Sequence, residues 1–366
     1  ISLVNPVSMP VVTDDSTWHN KEQRVYGKWR PFQLAFVLMN LRAMYDRDCN
    51  ERGIVDLADP VSKYLPGFRN PVVCTADGKI EKAEREILLE DIMNMTSGLT
   101  YGGTDETGRQ TDALFQEVIH GLKEENGGTI STVEFANRLG KVPLLYQPGQ
   151  PWSYGTSADV VGAVIEVASG MRFGDFLKKE IFEPLGMNDT DFWVPAEKQD
   201  RLAKVYDCRE GQPSVRYLDN NLGIQNDMAY RPAYEAGGAG LASTIDDYAK
   251  FTQMLLNGGT YNGVQILRPA TVKFLGGHTL SAVQQAGFDN WIGLEGFSYG
   301  NLMRVLVDPT RAVTLGSKGE FGWDGWLGCY MEVVPEQNMT FLMMTQKKDA
   351  GTYTLSRKIR NIIFSE

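Results

Sequence analysis

Ten residues, Gly319-Glu320-Phe321-Gly322-Trp323-Asp324-Gly325-Trp326-Leu327-Gly328, constrain this chain more than any other stretch. Four glycines among them let backbone approach backbone or a ligand closely, and the two tryptophans supply rigid walls. Immediately after them the chain reads as a hairpin: Tyr330 to Val334, a turn at Pro335-Glu336-Gln337-Asn338, then the apolar run Thr340 to Thr345. A glycine-rich, aromatic approach to a buried hairpin suits a cleft wall built on a sheet. A tight turn around core tryptophans accounts for the same residues, so this segment alone leaves both readings open.

Length and charge bound what such a wall can belong to. A chain of 366 residues can bury a sizeable core, and 42% hydrophobic with 22% charged residues is the balance of a globular protein. The net charge of −10 argues against nucleic acid or an anionic membrane surface as partner. No apolar run approaches the roughly 18 residues of a spanning helix. The start ISLVNPVSMP has no basic region leading into an apolar stretch, so no signal peptide is visible; cysteines read as reduced fit a cytoplasmic protein, with an exported chain whose leader has been removed as the alternative. Cys49, Cys74, Cys208 and Cys329 are far apart without a CxxC pair, and His19, His120 and His278 are scattered. Neither set has zinc-ligand spacing, so no metal or cofactor is expected and the cysteines read as reduced core residues.

Helical periodicity appears at Leu34 to Tyr45 and then dominates the middle of the chain: Ile87 to Met95, Asp112 to Lys123, Thr132 to Leu139, Ser157 to Ser169 and Phe173 to Phe182. Ser157 suits an N-cap and Gly170 a C-cap. Thr244-Ile245-Asp246-Asp247 opens a further helix. Strand patterns gather after Gly296, at Leu302 to Val307, Ala312 to Leu315 and the hairpin, before a last helix near Tyr353 to Phe364. Such an order predicts an α+β fold, in which an antiparallel sheet flanked by helices faces a mainly helical region across a cleft. Residues 1–69 with 236–366 would form the discontinuous sheet domain and 70–235 the helical one.

Five segments in order carry a family resemblance: Gly53 to Pro66 (GIVDLADPVSKYLP), Met95-Thr96-Ser97-Gly98-Leu99, Gln147-Pro148-Gly149 with Trp152-Ser153-Tyr154, Gly237 to Leu241 with Ser243-Thr244, and Gly322-Trp323-Asp324-Gly325. Together they resemble the serine β-lactamase-like superfamily of class C β-lactamases, D,D-peptidases (penicillin-binding proteins), family VIII carboxylesterases and related acyltransferases. The resemblance spans about residues 50 to 366 and implies the β-lactamase/transpeptidase-like fold. It also implies acyl-enzyme chemistry: a serine at a helix start attacks the acyl carbon, a lysine one turn later helps remove its proton, and a tyrosine acts as general base. Tyr154 matches that tyrosine. Trp323-Asp324-Gly325 matches the third element of the cleft, written KTG in many members and tryptophan-glycine in esterases, with Trp323 and Gly325 on the acyl and oxyanion side.

The nucleophile departs from the pattern. Counting back from Glu51-Arg52-Gly53, the resemblance places the serine near Phe36 and the lysine near Met39, in a helix from about Gln33 to Asp48, and neither residue can do that work. No lysine anywhere has a serine three residues before it. Ser8-Met9-Pro10-Val11-Val12-Thr13 resembles the family's nucleophile segment faintly but lies about 28 residues too early and has no lysine. Three accounts fit: an inactive homologue, a rearranged N-terminus with the serine elsewhere, or a reading-frame slip before Glu51. The expectation is therefore a serine hydrolase or acyltransferase on small esters, amides or lactams. A catalytically inactive member keeping the cleft as a binding module, and a β-lactamase or D,D-peptidase, are the alternatives. Loss of the KTG-type cation at Trp323 favours neutral esters over carboxylate-bearing lactams and peptides. Nothing in the sequence sets an oligomeric state.

Overall fold

The C-terminal apolar runs assemble into one antiparallel sheet. The computed structural model describes residues 2–4, 30–32, 55–351 and 354–365. Its six-stranded sheet contains β1 (Ser2–Val4), β2 (Phe297–Gly300), β3 (Met303–Leu306), β4 (Phe321–Asp324), β5 (Tyr330–Val334) and β6 (Met339–Met343), in the spatial order β1-β6-β5-β4-β3-β2. Every neighbouring pair is antiparallel, with Trp323 opposite Met331 and Asp324 opposite Tyr330. The hairpin read from the sequence is β5 and β6, joined by a turn at Pro335–Gln337 with Asn338 in the left-handed region at φ 49°.

Strands β2 to β5 are buried at every residue because both faces of the sheet are covered. Trp323, Met331, Val333 and Leu342 belong to the main core, which also takes Tyr248 and Phe251 of the helix Ile245–Leu256. Tyr330, Phe341 and Met343 meet Ile359 and Ile363 of the C-terminal helix Thr354–Ile363 instead. Successive side chains of a strand point to opposite faces, so the two sets separate by position alone.

The middle of the chain is helical. Helix Glu106–Glu124 starts where Asp105 accepts a hydrogen bond from the Gly108 amide at 2.8 Å, and Thr132–Leu139 where Ser131 accepts from Glu134 at 3.1 Å. Helix Ser157–Ser169 ends at Gly170, left-handed at φ 69° as the sequence predicts. Its N-cap is Thr156 rather than Ser157; Ser157 is the first helical residue, and its hydroxyl lies 3.1 Å from that of Ser97.

Two sequence expectations change. Ala312 to Leu315 is not a strand: Val313 and Leu315 are exposed, and the segment is a loop whose Leu315 amide donates to Asn361 Oδ1 at 2.8 Å. The missing strand is β2, which turns into β3 through Asn301 and Leu302 at φ 52° and 59°. Two consecutive left-handed residues match the twist of the hairpin, but a leucine in that conformation sends no glycine-like signal. The predicted helix from Gln33 to Asp48, with Phe36 and Met39, lies outside the described residues. No helix among the described residues is long and apolar enough to cross a membrane.

Candidate active site

Three of the sequence segments meet around Tyr154. The Ser153 amide donates to Met95 O, Gly149 to Thr96 O and Leu145 to Gly98 O, each at 2.9 Å, which joins the 95–99 loop to the 147–154 loop. Gly155 completes the join: a Cβ there would stand 2.1 Å from the Leu99 carbonyl oxygen, so a side chain would force the loops apart.

The half-buried Tyr154 ring sits among aromatic neighbours. Ring centroids lie 5.6 Å away for Trp323, 5.3 Å for Trp291 and 5.6 Å for Tyr101, while Tyr299 stands edge-on to Trp323 at 5.0 Å. The structure thus brings together Tyr154 and Trp323, two of the residues singled out in the sequence. Gly325, two positions on, is held in a tight loop in which its amide donates to Cys329 O at 2.7 Å and its carbonyl accepts from Gly328 at 2.8 Å. Phe36 and Met39 lie outside the described residues, so their places relative to Tyr154 are not among these contacts.

Trp323 brings no charge to this site. Asp324, between Trp323 and Gly325, lies on the other face of the strand, where it accepts from Arg304 Nη1 at 2.9 Å with both side chains almost fully buried. Burial raises the Tyr154 hydroxyl pKa above the ordinary tyrosine value of 10.0; a hydrogen bond with Trp323 works the other way, and the charges of Asp324 and Asp159 raise it further. Tyr154 is therefore a neutral phenol at physiological pH. A cation beside it would lower that value.

Two buried groups beside this site, the Asp159 carboxyl and the Tyr101 hydroxyl, were not singled out in the sequence. Asp159, 2% exposed, accepts from Tyr234 Oη at 2.7 Å and the Gly238 amide at 3.1 Å, and burial lifts its carboxyl to about 6. Its second oxygen lies with the Tyr101 hydroxyl around Gly238, where a Cβ would stand 3.0 Å from the first and 2.3 Å from the second. The signal was present: Asp159 is the one acid in the first turn of a largely apolar helix, SADVVGAVIEVAS. An acid there gains from the helix dipole yet is dehydrated by its neighbours.

The fold and this constellation define a β-lactamase-like protein, and the Beta-lactamase family pattern matches residues 48–362; the chain belongs to that family. Protein Rv1367c of Mycobacterium tuberculosis (strain ATCC 25618 / H37Rv) is 29% identical, the match covering 81% of this chain and 72% of that one. Esterase EstB of Burkholderia gladioli is 29% identical across 87% of this chain and 78% of its own. Among solved structures, EstCE1, a hydrolase with promiscuous acyltransferase activity, shares the fold with a TM-score of 0.70 at 22% identity, over 92% of this chain and 86% of that one.

Proposed function

We propose that the protein is an acyl-enzyme hydrolase or acyltransferase acting on small neutral esters. The observation that carries this reading is the pairing of Tyr154 with the uncharged ring of Trp323. A KTG-type member would place a lysine where Trp323 stands, and that cation would pair with a substrate carboxylate. Here the wall is aromatic and uncharged, so it favours a neutral acyl group. In the reaction, a hydroxyl attacks the ester carbon while its proton passes to the base side, the alcohol leaves, and water or a second alcohol releases the acyl group. Tyr154 would serve as proton carrier and Gly325 would flank the acyl group. The relatives' names, an esterase and a hydrolase with acyltransferase activity, support this direction.

Short-chain p-nitrophenyl esters and a chromogenic cephalosporin, each followed by intact-mass measurement, test the proposal. Ester turnover with a transient acyl adduct on a serine is expected, with the cephalosporin a poor substrate. Rapid cephalosporin turnover would favour the lactam reading instead.

A second reading, an inactive homologue that keeps the cleft for binding, is favoured by one feature of the sequence: counting back from Glu51, the positions near which the resemblance expects the serine and lysine carry Phe36 and Met39. Losing the nucleophile of such a unit commonly costs on the order of 10⁶ in kcat. Under this reading the protein turns over no ester, and Phe36→Ser with Met39→Lys creates measurable esterase activity. A serine adduct on the unmodified protein rules the second reading out.

A further inference from the structure

Next to the wall, a cavity opens between the Gly325–Leu327 turn and the segment 205–226. Two aromatic rings form its sides, Tyr217 and Trp326 standing edge-to-face at 5.9 Å, and Leu222, Ile224 and Ala239 complete an apolar lining. Several polar groups around it are engaged by other groups of the protein. Trp326 Nε1 donates to Asp349 at 2.6 Å, Asn226 Nδ2 to the carbonyls of Tyr217 and Asp219 at 3.0 and 3.2 Å, and Gln225 Nε2 to Tyr230 O at 3.2 Å. A ligand in the cavity thus meets mostly carbon.

Among the described residues, Asp219 alone brings a charge to the lining. Lys348 Nζ lies 5.4 Å from the Tyr217 ring centroid but has Asp349 as neighbour at 3.6 Å, so the local charge is not positive. Burial, then the charges of Asp219 and Asp349, push the Tyr217 hydroxyl above its ordinary value, which agrees with a negative local field. Leu218, between two lining residues, is 68% exposed, so apolar surface continues outward from the mouth.

We infer that this cavity holds an uncharged aliphatic chain of the ester substrate. The inference rests on the ester reading above for what the chain is attached to, not for the binding of the chain itself. Such a chain can be carried on the acyl or on the alcohol side of the ester, and the chemistry of recognition is the same.

Two substrate series separate these sources: p-nitrophenyl acetate to hexanoate, and ethyl to hexyl acetate followed by pH-stat. In one series kcat/KM is expected to climb by about fourfold for each methylene that becomes buried. Ala239→Phe, which fills the cavity, and Tyr217→Ala, which removes a half-exposed wall, should both flatten that climb; a carboxylate-tipped hexanoate analogue should lose it. Chain-length independence in both series overturns the inference. If no ester is turned over, binding of the neutral dye N-phenyl-1-naphthylamine is read by fluorescence, with 2-octanone as competitor. Dye binding that 2-octanone displaces and Ala239→Phe weakens at least tenfold supports the cavity while the esterase reading fails. Dye binding that neither variant changes, or none at all, overturns it.

Discussion

Tyr154 shows how one side chain can be legible in sequence while its partners are not. The segment Trp152-Ser153-Tyr154 and the Trp323 motif are local strings, so order and spacing along the chain were enough to mark them. Asp159 and Tyr101 act through contacts made only after folding: Asp159 meets Tyr234, 75 residues away, and Gly238, 79 away. No short-range pattern carries that information. If the protein turns over esters, Tyr154→Phe removes the hydroxyl but keeps the ring that packs on Trp323 and Trp291. A positioned proton carrier contributes about 10² to 10⁴ in rate, so kcat should fall in that range with the thermal midpoint nearly unchanged. An active enzyme indifferent to the change would take Tyr154 out of the chemistry.

Among elements, those with complete local signals were readable. Thr132–Leu139 has a serine cap and a clear apolar stripe, and its predicted and observed bounds coincide. The β2–β3 hairpin was only half readable, since its turn rests on Leu302, whose side chain is fully buried and which is held at φ 59° by the core around it. The covered back face of the sheet was not readable, because its polar residues look like solvent-facing positions. Arg304, Asp324, Glu320, Glu332 and Arg360 are all buried there: Arg304 pairs with Asp324, and Arg360, from the C-terminal helix, reaches Glu320 at 2.6 Å and also bonds Glu332. Removing one member of such a set leaves a charge without compensation in a dehydrated place. Arg304→Met should therefore destabilise the protein by about 3–5 kcal/mol, read as a lower urea midpoint. Because Asp324 adjoins Trp323, tryptophan fluorescence of the folded variant should shift as well. A midpoint within the range of ordinary surface substitutions would mean that the pair is solvated.

Across the whole molecule, buried carboxylates set the response to pH. Burial raises Asp159 from 3.8 to about 6 and Glu235 from 4.5 to about 7; burial first, then the charge of Glu332, raises Glu320 as well. Each binds a proton more tightly folded than unfolded, so between its unfolded and folded values the native state holds more protons and stability falls as pH rises. For Asp159, the difference between 3.8 and about 6 corresponds to about 3 kcal/mol lost across that window. Asp59 and Asp189 run the other way, their carboxyls held below 3.8 by lysine, tyrosine and arginine partners despite the opposing effect of burial; the stability they supply is present above 3.8 and lost in more acid solution. From these groups, stability rises with pH below about 4 through the depressed carboxyls and falls above it through the raised ones. Net charge of −10 pushes in the same direction through general repulsion, so the buried groups need a separate readout. Asp159→Asn supplies one, since an amide oxygen can still accept from Tyr234 and Gly238. Its thermal midpoint should depend less steeply on pH between 4 and 6 than that of the wild type, and should exceed it at pH 8. Glu197→Gln makes the same change in net charge at an exposed residue and should leave the slope as it was. Equal slopes for all three proteins would show that Asp159 titrates as an ordinary surface carboxylate.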